Sequence, residues 1–157
     1  MKAATIHELK QELHLIAPAK LLELCVRLAK YKKDNKELLS YLLFDEHDEP
    51  AYLSNVKKEM EDQFAGINAS NLYFAKKSLR KILKLTGKYI RYTGSRQVEV
   101  ELLLYYCRLL HDSGIPIQKN TALINLYQGQ LKKLSKLIAT LHEDLQYDYI
   151  KELKTLS

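Results

Sequence analysis

The amino-acid sequence predicts an all-α protein, and three observations carry that reading. Apolar residues recur at three- and four-residue steps along most of the chain. Threonine or aspartate followed three residues later by glutamate stands before several of those runs, the pattern of a helix N-terminus. Gly and Pro together number only eight in 157 residues, too few for the turns of a many-stranded sheet. With 46% apolar and 28% charged residues the composition is that of an ordinary globular protein, which excludes disorder. The length suits one helical domain over 1–157 with a core of its own. Short loops imply seven or eight antiparallel helices, stacked as helical hairpins in an α-solenoid-like manner or gathered in a bundle.

The elements follow in order. Ile6, Leu9, Leu13 and Ile16 give the first helix one apolar face, and Thr5 with Glu8 forms a capping box at its start. Pro18 opens a second helix running to about Tyr31, because a proline in the first turn removes an N–H that would have no partner there. Asp34 and Glu37 repeat the capping pattern before LLSYLLF, the third helix, which the acidic run 45–49 ends. Pro50 starts a fourth with a seam of Leu53, Val56, Met60, Phe64 and Ile67. After a turn over 66–70, in which Asn68 or Ser70 serves as cap, the fifth spans about 71–92. Gly94 and Ser95 break the chain before the sixth, about 96–112, which is apolar nearly all round and is therefore expected at the centre. Ser113, Gly114 and Pro116 stop it. A seventh helix has Leu123, Leu126, Gln130, Leu134, Leu137 and Leu141 on one face. Thr140 and Glu143 fit a capping box that begins an eighth; the alternative is one continuous helix over about 118–153.

The stretch 21–43 echoes 79–106: Lys30-Tyr31 matches Lys88-Tyr89, and Glu37-Leu38-Leu39 with Tyr41 matches Glu101-Leu102-Leu103 with Tyr105. A duplication would make these two helix pairs related hairpins, an architectural analogy to HEAT or armadillo arrays without their signature positions.

Cys25 and Cys107 each stand among apolar residues, without metal spacing or a CxxC motif, and read as reduced, buried thiols. The N-terminus mixes Glu and Lys among its apolar residues, unlike a signal peptide, so the expected location is cytoplasmic. The longest apolar run, Leu102–Cys107, is far short of the ~20 residues that cross a bilayer, so no membrane insertion is expected.

The net charge of +6 is polarised. Residues 1–69 carry 10 Lys/Arg against 12 Asp/Glu, and residues 70–157 carry 15 against 7. Lys76 to Arg96 hold eight basic residues and no acidic one. At ~100° per residue, Lys77, Arg80, Lys81, Lys84, Lys88 and Arg91 fall within an arc of about 100°, with Arg96 just beyond the helix end. Leu72, Ala75, Leu79, Ile82, Leu83, Thr86 and Ile90 take the opposite side. The result is a positive stripe ~21 Å long. Like charges at i,i+4 repel, and a helix that needs only solubility mixes glutamate into such a face. The stripe therefore points to an anionic partner, an acidic protein surface or a nucleic acid backbone, with Tyr73, Tyr92 and Arg96 near its ends placed to stack on bases. The bland reading is a solvated face neutralised from within by the 45–49 cluster and by Glu59, Glu61 and Asp62.

The leading expectation is a non-catalytic interaction module, with a nucleic-acid-binding protein as alternative. An enzyme is the second alternative, its polar pocket formed by Glu101, Tyr105 and Arg108 on the apolar sixth helix. Two turns separate Glu101 from Arg108, and an interhelical ion pair explains them equally well. His47 in the acidic turn has the composition of a metal site but neither the spacing nor the glycine of an EF-hand, and no metal or cofactor is expected. Nucleophile-elbow and phosphate-loop motifs do not occur. Tyr31, Tyr41, Tyr89, Tyr105 and Tyr106 sit in apolar patterns and read as core residues with the hydroxyl at the edge.

Overall fold

The computed structural model describes all residues, Met1–Ser157, as eight α-helices without strands. They are α1 (Ile6–His14), α2 (Pro18–Tyr31), α3 (Lys33–Ser40), α4 (Glu49–Ala65), α5 (Leu72–Thr93), α6 (Arg96–Asp112), α7 (Thr121–Ile138) and α8 (Glu143–Leu156). A wide π-type turn, Tyr41–Asp45, follows α3, and a 3-10 turn, Ile117–Lys119, precedes α7. No helix is long and apolar enough to cross a membrane. The contacts gather into two units, Met1–Phe44 and Asp45–Ser157.

In the first unit, Thr5 and Glu8 form the capping box reciprocally: the Glu8 N–H donates to Thr5 Oγ1 at 3.3 Å, and the Thr5 N–H donates to the Glu8 carboxylate at 2.7 Å. Pro18 occupies the first turn of α2. The cap predicted for α3 does not form. Lys32 takes the N-cap position without a side-chain bond, and Asp34 lies inside the first turn, where a carboxylate still complements the helix dipole. None of these three helices buries a residue; Tyr41, in the turn after them, is the unit's one buried side chain.

The second unit is built around α6, which packs on α4, α5, α7 and α8. Val98, Val100, Leu102, Leu103, Leu104, Tyr106, Cys107 and Leu110 are buried, so the helix that is apolar all round is the covered one. Tyr106 sends its hydroxyl to the Leu79 carbonyl of α5 at 3.0 Å and meets Phe64 of α4 edge-on. Burial pushes the Cys107 thiol up to about 12, which keeps it protonated and inert. Cys25, by contrast, is exposed, against the expectation of two buried thiols.

Three further details depart from the sequence reading. Asn71, rather than Asn68 or Ser70, caps α5, accepting from the N–H groups of Tyr73 and Phe74; Asn68 instead closes a tight turn onto Ser70. On α7 the buried face is Leu123, Tyr127, Leu131, Leu134 and Ile138, rotated from the predicted one; Tyr127 turns inward with it and donates to the Leu156 carbonyl at 2.7 Å. Helices α7 and α8 are separate, but the capping box at Thr140 does not form. Thr140 turns back to donate to the Leu137 carbonyl, and His142 becomes the cap, accepting from the Asp144 N–H. Gln146 holds the break by donating to the Leu141 carbonyl at 2.7 Å, satisfying an acceptor that a continuous helix would have used.

Candidate functional site

The basic face of α5 is positioned by the opposite face of the same helix. Ala75, Leu79, Ile82, Thr86 and Ile90 are buried, and Leu72 and Leu83 are half-buried, so the helix cannot roll without exposing core. Thr86 is accommodated because its hydroxyl donates back to the Ile82 carbonyl at 2.9 Å. At the C-terminus Gly94 adopts a left-handed φ of 63°, which ends α5 sharply, and Ser95 caps α6 by accepting from the Val98 N–H. Arg96 therefore begins the next helix beside the end of the stripe.

Lys77, Arg80, Lys81, Lys84, Arg91 and Arg96 are all exposed, and none of them makes an ion pair. Lys88 differs: it is half-buried and engaged, with its ammonium over the Tyr89 ring at 5.8 Å. Three of the carboxylates expected to neutralise the face are used elsewhere, and none of the others pairs with these six cations. Glu59 accepts from the Tyr89 hydroxyl at 2.9 and 3.0 Å, Glu61 accepts from Tyr105, and Asp48 caps α4 through the Ala51 N–H.

Two aromatic rings extend the stripe at its N-terminal end. Tyr73 is 64% exposed and Phe74 54%, and the Lys76 ammonium lies 5.8 Å from the centre of the Tyr73 ring. Tyr73 precedes Lys77 by four residues and Arg80 by seven, so it shares their face. That spacing is visible in the sequence; the exposure of Phe74 is not. Tyr92, at the other end, is half-buried and packs near Tyr89.

The second candidate, Glu101, Tyr105 and Arg108, does not assemble as a triad. Glu101 and Tyr105 line an open groove of about 790 Å³ between α4 and α6, together with Glu49, Lys57, Glu61 and Gln97. Glu101 pairs with Lys57 at 3.4 Å and accepts from the Tyr149 hydroxyl at 3.1 Å. Desolvation, with the adjacent Glu61 carboxylate, pushes the Tyr105 hydroxyl up to about 12. Arg108 lies elsewhere, two turns further on, where α8 passes and Glu152 takes its guanidinium at 2.9 Å. Glu99 meets Lys133 of α7 at 2.7 Å. Glu99, Glu101 and Arg108 thus join α6 to α7, α4 and α8, one ion pair to each. Such half-exposed pairs contribute no more than about 1 kcal/mol apiece.

No group of three or more His, Cys, Asp or Glu side chains gathers closely enough to hold a metal ion, and His47 stands exposed in the turn before α4. Comparison with protein-family models, curated proteins and solved structures finds no match to this chain.

Proposed function

We propose that this protein is a non-catalytic interaction module that engages an anionic partner through the basic face of α5. One observation carries the reading: five exposed cations on one helix face, Lys77, Arg80, Lys81, Lys84 and Arg91, have no carboxylate paired to them. Arg96 continues the face onto α6. Leaving such charges side by side costs a few tenths of a kcal/mol per i,i+4 pair. A partner carrying regularly spaced anions recovers that cost, and steering by the combined field speeds its arrival. The rigid, buried back of the helix keeps the array preorganised, so little side-chain order beyond the lysine tips is lost on binding.

The exposed pair Tyr73 and Phe74 favours a second reading, a single-stranded nucleic acid whose phosphates follow the stripe and whose bases stack at its N-terminal end. The enzymatic reading keeps Glu101 and Tyr105 on one groove but loses Arg108, and the polar atoms of both remaining residues are already engaged.

The test is a titration of the full chain with polyglutamate and with mixed-sequence single- and double-stranded oligonucleotides, at about 50 and 200 mM salt. Binding to at least one probe is expected, weakening steeply with salt and lost in the Lys77→Glu/Lys81→Glu/Lys84→Glu variant at unchanged helicity. Preference for the single strand, reduced by Tyr73→Ala, selects the second reading. No binding to any probe at low salt, or binding untouched by the triple reversal, rejects α5 as the surface.

A further inference from the structure

The first unit carries a surface that the basic stripe does not explain. Fourteen of the nineteen exposed large apolar side chains of the protein lie in Met1–Phe44. They include Ile6 at 81%, Leu22 at 67%, Leu28 at 61% and Phe44 at 69% exposure. A unit of this length without disulfide or metal is too small to be stable on a core of its own, and α1, α2 and α3 bury nothing. The second unit has the opposite character, a full core and few exposed apolar side chains.

Helix α2 shows the shape of what is required. At ~100° per residue, Leu21, Leu22, Leu24, Cys25, Val26, Leu28 and Ala29 span an arc of roughly 200° centred on Cys25, while Lys20, Glu23, Arg27 and Lys30 lie opposite. That arc is wider than one neighbouring helix covers. Between α2 and α3 it leaves an open apolar groove of about 290 Å³, whose floor includes the small side chains of Cys25 and Ala29.

We infer that this face is a homodimer interface, in which α2 crosses α2 of a second copy of the chain near Cys25. A two-fold contact requires a surface complementary to itself, with each residue meeting its mirror position. The arc meets that requirement. An antiparallel copy crossing at Cys25 sets Leu22 against Leu28 and the large Leu21 against the small Ala29, in both directions at once. No charged residue lies in the arc, so two copies meet without burying an unpaired charge. The apolar surface extends beyond α2, to Leu38 of α3 and to Leu42, Leu43 and Phe44 of the turn after it. With roughly 100 Å² open on each of about a dozen side chains, the unit holds on the order of 1,000 Å² of apolar surface in all, so an interface of roughly 800 Å² per partner draws on α1, α3 and the turn as well as on the α2 arc.

The full chain tests this directly. Light scattering on a sizing column at about 100 μM should give twice the 18.3 kDa chain mass. A short bismaleimide should join two chains through Cys25 and fail with Cys25→Ser, since Cys107 is buried and does not react. Leu22→Glu with Leu28→Glu should return the mass to that of a monomer while helicity is kept. A monomeric mass for the unaltered chain overturns the inference, as does a dimer that survives the double variant or lacks the Cys25 cross-link. A monomer that instead sediments with anionic lipid vesicles overturns it in favour of a membrane surface. The mass and the cross-link need no altered interface, so a misfolded double variant does not blunt the test.

Discussion

Reversing one charge in the middle of the stripe should stabilise this protein while weakening its binding. Lys81 is exposed, makes no ion pair, and lies well inside α5, away from both helix ends. Its neighbours on the face are Lys77 at i−4 and Lys84 at i+3, both equally unpaired. In Lys81→Glu two repulsions become two attractions. At about 0.2–0.5 kcal/mol for each repulsion relieved and each attraction formed, the gain is about 1 kcal/mol at low salt. Lys and Glu have nearly equal helix propensity, so the backbone contributes little, and Lys81→Gln should give about half the gain. For a protein of this size 1 kcal/mol raises Tm by about 3–4 °C. The assay is thermal unfolding followed by circular dichroism at about 0.05 and 1 M salt. The gain should shrink at the higher concentration, where the Debye length falls to about 3 Å. Destabilisation by Lys81→Glu would show that the lysine has a stabilising partner, and a gain indifferent to salt would show that the effect is not electrostatic. Either result removes the argument that the face is held under self-repulsion for the sake of a partner.

Two further outcomes test the core and the groove. Tyr106→Phe should cost about 1 kcal/mol in urea unfolding, toward the lower side of what a buried hydrogen bond contributes, because a phenylalanine keeps the packing against Phe64 and only the bond to the Leu79 carbonyl is lost. The Tyr105 hydroxyl, held up to about 12 against an ordinary 10.0 by desolvation and by Glu61, binds its proton more tightly folded than unfolded; its contribution is fully present below about pH 10 and lost as pH rises toward 12, and the phenolate absorbance missing from Tyr105→Phe should appear at lower pH in Glu61→Gln.

Local chemistry alone fixes several helix ends. The Thr5–Glu8 capping box, Pro18 in a first turn and the Gly94–Ser95 break all form as the sequence predicts, because each is settled within four residues. The same is true of the two-sidedness of α5, since the basic arc and the apolar arc both follow from helical geometry alone. Capping failed where competition entered. At Thr140 the hydroxyl had two acceptable bonds, and the one back to the Leu137 carbonyl won while His142 took the cap. At α7 the predicted face missed Tyr127, Leu131 and Ile138, which are buried, and the Tyr127 hydroxyl finds its acceptor at Leu156, far along the chain.

What the sequence determined by itself is therefore the all-α class, the order and approximate bounds of the helices, the centrality of α6 and the existence of a basic face. All of these depend on periodicity and on groups close in the chain. Tertiary structure decided what lies far apart in it. Whether the stripe was neutralised depended on where Glu59 and Glu61 pointed, and they went to Tyr89 and Tyr105. Whether Glu101 and Arg108 formed one site depended on which helices passed each of them, and different helices did. The apolar faces of α1, α2 and α3 looked like core in the sequence, because amphipathicity says that a face must be covered without saying by what. The structure shows that α1, α2 and α3 bury no residue.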